Sequence, residues 1–148
     1  MSNHVEIFEV GPRDGLQNEA RQIPSAEKSA LVDCLSGGGF KRIEVASFVS
    51  PKWVPQMAQS GDVLAGIQRA AGVSYAALTP NLRGFKDALG AKADEVAIFT
   101  SASERFSQAN VNTSIGNSLN WASDVAQAAQ TAGLPVRGYI SCVTECPY

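Results

Sequence analysis

Two periods alternate along the 148-residue chain. Short apolar or alternating runs at Val5–Val10, Arg42–Ser47, Val73–Thr79, Glu95–Thr100 and Val136–Cys142 read as strands. Between them the apolar residues fall three and four apart, the spacing of a helix with one buried face. The first helix is expected from about Ala26 to Leu35, N-capped by Ser25, with Ala30, Leu31, Cys34 and Leu35 on one face. Gly37-Gly38-Gly39 stops it. The second is clearest from Asp62, carries Val63, Leu64 and Ile67, and ends at Ala71-Gly72. Pro80-Asn81 opens the third, with Leu82, Phe85 and Leu89. The fourth has its main body at Ser118–Thr131, with Ser103–Asn110 as a turn of its own, and Gly133-Leu134-Pro135 breaks it.

The order βαβαβαβαβ, without linker, repeat or low-complexity tract, argues for a parallel sheet covered by helices. Two α/β architectures fit: a doubly wound open sheet, or part of a (β/α)8 TIM barrel. A whole barrel takes about 250 residues. On the barrel reading, residues 1–148 are one partial domain holding the first five strands and four helices.

Composition narrows the partners. The chain is 45% hydrophobic and 18% charged, with Lys+Arg 12 against Asp+Glu 14, a net charge of −2. Such a chain builds an ordinary core and offers no basic run for nucleic acid or an anionic membrane. No apolar run approaches the roughly 20 residues of a membrane span. Met1-Ser2-Asn3-His4 leads straight into the first strand and leaves no room for a targeting leader, so a cytoplasmic location is expected. Three cysteines, an odd number, point to reduced thiols. Cys34 is expected to be buried in the first helix. Cys142 and Cys146, spaced C-x3-C, lack the pairing of a zinc ribbon.

The chemistry gathers at the strand ends. Gly11-Pro12 punctuates the first strand, Pro12 lacking an N–H and Gly11 tolerating positive φ, and Arg13 and Asp14 follow side by side. On the second strand, alternation sets Ile43 and Val45 on one face and Glu44 and Ala46 on the other, so Glu44 points into the barrel. A carboxylate there must be paired or bound to something. On the fifth strand Arg137, Tyr139 and Ser141 share the corresponding face. Folds of this kind place their sites at the C-terminal ends of parallel strands. Arg13, Asp14, Gln17, Glu44, Ser47, Tyr139 and Ser141 would converge there. Asp14 is a hard oxygen ligand suited to Mg²⁺ or Mn²⁺. Arg13 can stabilise an oxyanion, and Glu44 can position Arg13 or act near a substrate hydroxyl, so both are catalytic candidates. The combination suits carbon–carbon chemistry through an enolate. The one histidine, His4, stands at the wrong end of its strand and reads as exposed. Gly37-Gly38-Gly39 follows a helix instead of opening one, and neither G-x-G-x-x-G, G-K-[ST] nor G-x-S-x-G occurs, which argues against phosphate-loop and serine-hydrolase readings.

Four stretches carry a resemblance: Glu9–Glu19; Ile43-Glu44-Val45 with Ser47–Met57; Leu78-Thr79-Pro80-Asn81-Leu82; and Arg137–Cys142. Together they resemble 3-hydroxy-3-methylglutaryl-CoA lyases, metal-dependent barrel enzymes with an Asp–Arg–Glu signature. This resemblance implies cleavage of 3-hydroxy-3-methylglutaryl-CoA, or a similar acyl-CoA, to acetyl-CoA and acetoacetate, as in leucine breakdown. By motif, Asp14 matches the metal ligand, Arg13 the residue that holds the substrate carbonyl and enolate, and Glu44 the remaining acid. Gln17, Ser47, Tyr139 and Ser141 are candidates for substrate contact. The implied cofactor is a divalent cation, Mg²⁺ or Mn²⁺, and the implied full-length assembly is a homodimer. His-x-His and Asn ligands, and a glycine-rich loop with a reactive Cys, belong to later strands of such barrels and are absent here. Two alternatives stand beside the lyase. One is a condensing synthase of the isopropylmalate or homocitrate type, against which the Ser47–Met57 loop argues. The other is a non-catalytic half-barrel fragment or subunit.

Overall fold

The structure is a computed structural model describing residue 3 and residues 5–148; His4 lies outside the described residues. Five parallel strands lie side by side in chain order: β1 (Phe8–Glu9), β2 (Arg42–Ser47), β3 (Ser74–Leu78), β4 (Glu95–Ser101) and β5 (Val136–Ser141). A doubly wound sheet would reverse its strand order about a switch point; this one does not. The sheet also curls. Four strand spacings of about 4.8 Å would separate β1 from β5 by about 19 Å in a flat sheet. Instead the Arg137 guanidinium of β5 lies 4.3 Å from the ring centre of Phe8 in β1. The architecture is therefore a partial barrel, open between β1 and β5.

The helices pack on the convex side. They are α1 (Ser25–Gly37), α2 (Ser60–Gly66), α3 (Leu82–Gly90), α4 (Glu104–Val111) and α5 (Ile115–Thr131). Val32 and Val63 from α1 and α2, Phe85 from α3 and Val125 from α5 meet Ile43, Tyr75 and Val96 of the sheet in one buried core. No described helix is long and apolar enough to cross a membrane.

Several expectations change. The first strand is ladder-paired only at Phe8 and Glu9, and Val5 and Ile7 are exposed, because β1 has a neighbour on one side only. Pro24, not Ser25, caps α1, with no side-chain bond. The buried face of α1 is Lys28, Ser29 and Val32, whereas Ala30, Leu31 and Cys34 are exposed. Polar residues can line this face because their donors find carbonyls: Ser29 Oγ reaches Val63 O at 3.1 Å and Lys28 Nζ reaches Gln56 O. The second helix stops at Gly66. From Ile67 the chain is extended, and the amides of Gln68 and Ala70 bond Asp33 Oδ1 and the Tyr75 hydroxyl instead of a helix. The expected turn at 103–110 is a full helix, α4, capped by Ser103, whose hydroxyl accepts from Phe106 N; α5 is capped likewise by Ser114. Asn112, at φ 51°, makes the left-handed turn between them. The described residues thus hold five α-helices, not four, besides single helical turns at Gly11–Gly15 and Pro55–Met57.

Candidate active site

The site begins at the end of β1. Residues Gly11–Gly15 form one wide helical turn in which Arg13 N and Asp14 N both donate to Val10 O, at 3.1 and 2.7 Å. The first glycine is not used for a positive φ. Its amide donates to Glu9 Oε1 at 2.6 Å, and a Cβ there would stand 2.7 Å from that oxygen. Pro12 is buried at the start of the turn, where its missing N–H costs nothing. This turn throws Arg13 inward and leaves Asp14 at the rim.

The second element is Glu44, fully buried on the concave face of β2. Arg13 Nε donates to Glu44 Oε1 at 2.5 Å, and Tyr139 Oη donates to Glu44 Oε2 at 2.8 Å. Two strands, β3 and β4, lie between β2 and β5 along the sheet, so this contact, too, depends on the curl. The two partners satisfy both oxygens of a buried carboxylate, the condition for holding such a group inside a protein. Burial pushes the Tyr139 phenol well above its ordinary range, and the Glu44 charge and hydrogen bond push the same way. Tyr139 is therefore a hydrogen-bond donor at neutral pH.

Arg13 Nη1 also donates to Asp14 Oδ1 at 2.6 Å. The Arg13 side chain is 11% exposed and that of Asp14 58%. Nη2 of Arg13 makes no hydrogen bond among the described residues. A guanidinium is thus held at two corners with N–H donors to spare, on a residue that lines a cleft of about 670 Å³.

Arg13, Asp14, Gln17, Tyr139 and Ser141 all line this cleft. Glu44, expected there too, does not itself line the cleft; it lies fully buried and bonded to Arg13 and Tyr139, which do. Ser47 lines an adjacent cleft with Ser60 and Asn81 instead, and its wholly buried hydroxyl has no partner among the described residues. A bulge at Val45 displaces the expected alternation. Glu44 pairs with Ala76, but Ala46 pairs with Ala77 and joins the helix-side core, so the expectation that Glu44 and Ala46 share a face is corrected. Sequence reasoning missed the walls. Trp53 and Val54 come from the loop after β2, and Phe106 and Asn110 from α4. Recognising 103–111 as a capped helix, from Ser103 three residues before Phe106, would have located the last two.

The donor set for a cation is small. No group of three or more His, Cys, Asp or Glu side chains that could hold a metal occurs among the described residues. Asp14 offers one carboxylate, and both oxygens of Glu44 are occupied. Mg²⁺ takes about six oxygen ligands. The described residues therefore do not complete a metal site.

Comparison with known proteins gives a consistent result. The HMGL-like family profile matches residues 4–147. The 3-hydroxy-3-isohexenylglutaryl-CoA/hydroxy-methylglutaryl-CoA lyase of Pseudomonas aeruginosa is 58% identical over 97% of the chain and 48% of its own length. The mitochondrial hydroxymethylglutaryl-CoA lyase of Bos taurus is 55% identical over 97% of the chain and 44% of its own length. The crystal structure of the Pseudomonas aeruginosa hydroxymethylglutaryl-CoA lyase superposes with a TM-score of 0.92 over 97% of this chain and 48% of that one. An HMG-CoA lyase from Acinetobacter baumannii, solved with coenzyme A and 3-methylmalate, is 35% identical with a TM-score of 0.92, covering 97% and 47%. The chain spans about half the length of the curated relatives it matches.

Proposed function

The chain belongs to the HMGL-like family, and we propose that it is the part of a 3-hydroxy-3-methylglutaryl-CoA lyase that holds the substrate's reacting carbonyl. The observation that carries this reading is the Arg13 guanidinium, fixed at Nε by a buried carboxylate and at Nη1 by Asp14, on a residue that lines the cleft and whose Nη2 has no partner among the described residues. Cleaving the C2–C3 bond of such a thioester leaves the electron pair on the acetyl-CoA fragment, as an enolate whose oxygen carries the charge. A preorganised donor aimed at that oxygen stabilises it without reorganisation. Glu44 prevents Arg13 from swinging away, and Tyr139 holds Glu44. Gln17 and Ser141 line the same cleft and are candidates for contact with the substrate's polar groups.

Membership of this family suggests a divalent cation, Mg²⁺ or Mn²⁺, and Asp14 is the carboxylate of the cleft with an oxygen free to touch it. Asp14 would be one ligand of such an ion, which would draw charge from the substrate's oxygens; the further ligands it needs are not among the described residues. A cytoplasmic location and a homodimeric full-length assembly belong to the same proposal and rest on the sequence reading alone. A condensing synthase is the weaker reading, because the relatives above are named as lyases and the Ser47–Met57 loop matches lyases.

The test is a chimera in which residues 4–147 replace the matching segment of the Pseudomonas aeruginosa lyase. It should release acetyl-CoA and acetoacetate from 3-hydroxy-3-methylglutaryl-CoA. Arg13→Lys keeps the charge but loses the fork, and should lower kcat by about 10³-fold or more. An inactive chimera that is folded, or an Arg13→Lys variant of unchanged kcat, would refute the proposal.

A further inference from the structure

Two loops that wall the cleft are joined by one buried side chain that the chemistry above does not use, beside an exposed bond from Gln22 Nε2 to Pro55 O at 3.4 Å. Gln56 is 5% exposed and lies at the end of the loop after β2. Its amide reaches across to the loop after β1. Gln56 Oε1 accepts from Ile23 N at 3.0 Å, and Gln56 Nε2 donates to Glu19 O at 3.2 Å and to Arg21 O at 2.8 Å. Every hydrogen of that amide is used, and each partner is backbone 33 to 37 residues away in sequence. Behind it Lys28 of α1, 3% exposed, donates Nζ to the Gln56 carbonyl. No carboxylate pairs with Lys28 among the described residues. Burying an ammonium this way is costly. An apolar residue of similar length would fill the space more cheaply, so stability alone does not account for the arrangement.

What it achieves is geometric. The loop after β1 carries Gln17, and the loop after β2 carries Trp53 and Val54; all three line the site cleft. Neither loop belongs to the sheet, and Trp53 is 77% exposed. We propose that Gln56, braced by Lys28, is a positioning residue that locks these two loops together and so sets the mouth of the cleft for an acyl-CoA-sized ligand. The choice of ligand rests on the lyase reading.

The experiment uses the full chain, with Gln56→Leu and Gln56→Met. Backbone amide exchange is measured residue by residue, and 3-hydroxy-3-methylglutaryl-CoA binding by calorimetry. Each folded variant should exchange at least 30-fold faster at Ile23 and its neighbours, with the β2 and β3 amides within threefold of wild type. Kd should weaken at least tenfold. Unchanged exchange at Ile23, or faster exchange with Kd within twofold of wild type, overturns the proposal. If Gln56→Leu fails to fold, Gln56→Met decides; failure of both overturns the proposal in favour of a purely structural role. If the wild-type chain binds no ligand, that counts against the lyase reading, and exchange alone decides the clamp. Acceleration confined to residues 19–23 then supports it and an unchanged rate overturns it.

Discussion

The concave face of the sheet carries two arginine–glutamate pairs, one at each end of the strands, and they are built differently. At the N-terminal end, Arg42 of β2 uses Nε and Nη2 on Glu95 of β4 and Nη1 on Glu6, and its guanidinium lies 4.7 Å from the ring centre of Phe8. Arg137 approaches the same ring. Every nitrogen of Arg42 is engaged, and neither Arg42 nor Glu95 lines the site cleft. At the C-terminal end, Arg13 lines a cleft, holds Glu44 through one nitrogen and Asp14 through another, and its third has no partner among the described residues. Both ends hold an arginine against a buried carboxylate. Only one leaves donors for a ligand. A buried ion pair is weak grounds for function by itself; what marks a site is the donor that the pair leaves open.

Substitutions break this comparison in a graded way. Arg42→Ala strands the Glu95 carboxylate, whose side chain is 3% exposed. It should lower the unfolding free energy by about 3 kcal/mol, the low end for a broken buried pair because Arg42 keeps partial solvent contact. Ligand affinity should stay within threefold. Urea unfolding and calorimetry read the two effects. Tyr139→Phe removes one of the two donors to Glu44 and should cost about 1–3 kcal/mol, with weaker ligand binding as Arg13 loses its fixed partner. Asp14→Asn alters an exposed group and should change stability by less than about 0.5 kcal/mol while impairing cation-dependent turnover in the chimera.

Tyr139 also gives a pH signature. Its phenol is raised in the folded protein, first by burial and then by Glu44. The contribution of its hydrogen bond is therefore complete below the unfolded phenol value of about 10. It is lost progressively as pH rises from there through the raised folded value, because the unfolded chain ionises first. An ultraviolet titration of wild type should show a phenol ionising above the ordinary tyrosine range that is missing from the Tyr139→Phe variant, and that variant should lose less stability between pH 9 and 11. Equal losses in the two proteins would contradict the placement of this phenol against a charge.

Much of this was legible in the chain. Alternation of strand and helix periods yields the five parallel strands, and the polar positions Glu44 and Tyr139 on otherwise apolar strands mark the concave face. What failed is what local pattern does not encode. The bulge at Val45 moved Ala46 into the helix-side core, because one inserted residue resets a period of two. The polar buried face of α1 is invisible to an apolar-periodicity reading, since its hydroxyl and ammonium groups are satisfied by carbonyls of distant loops. The shortening of α2 has the same origin, because the amides after Gly66 bond Asp33 and Tyr75 across the fold. The cleft walls, Trp53 and Asn110, are brought to the site only by the loop path and by α4.

The most direct test of the difference between the two ends is side-chain arginine NMR of the ¹⁵N-labelled chain, titrated with 3-hydroxy-3-methylglutaryl-CoA. The Nη resonances of Arg13 should shift and their exchange should slow on binding, while those of Arg42 stay in place. Shifts at Arg42 with Arg13 unmoved would contradict the assignment of the open donors to the C-terminal end of the sheet.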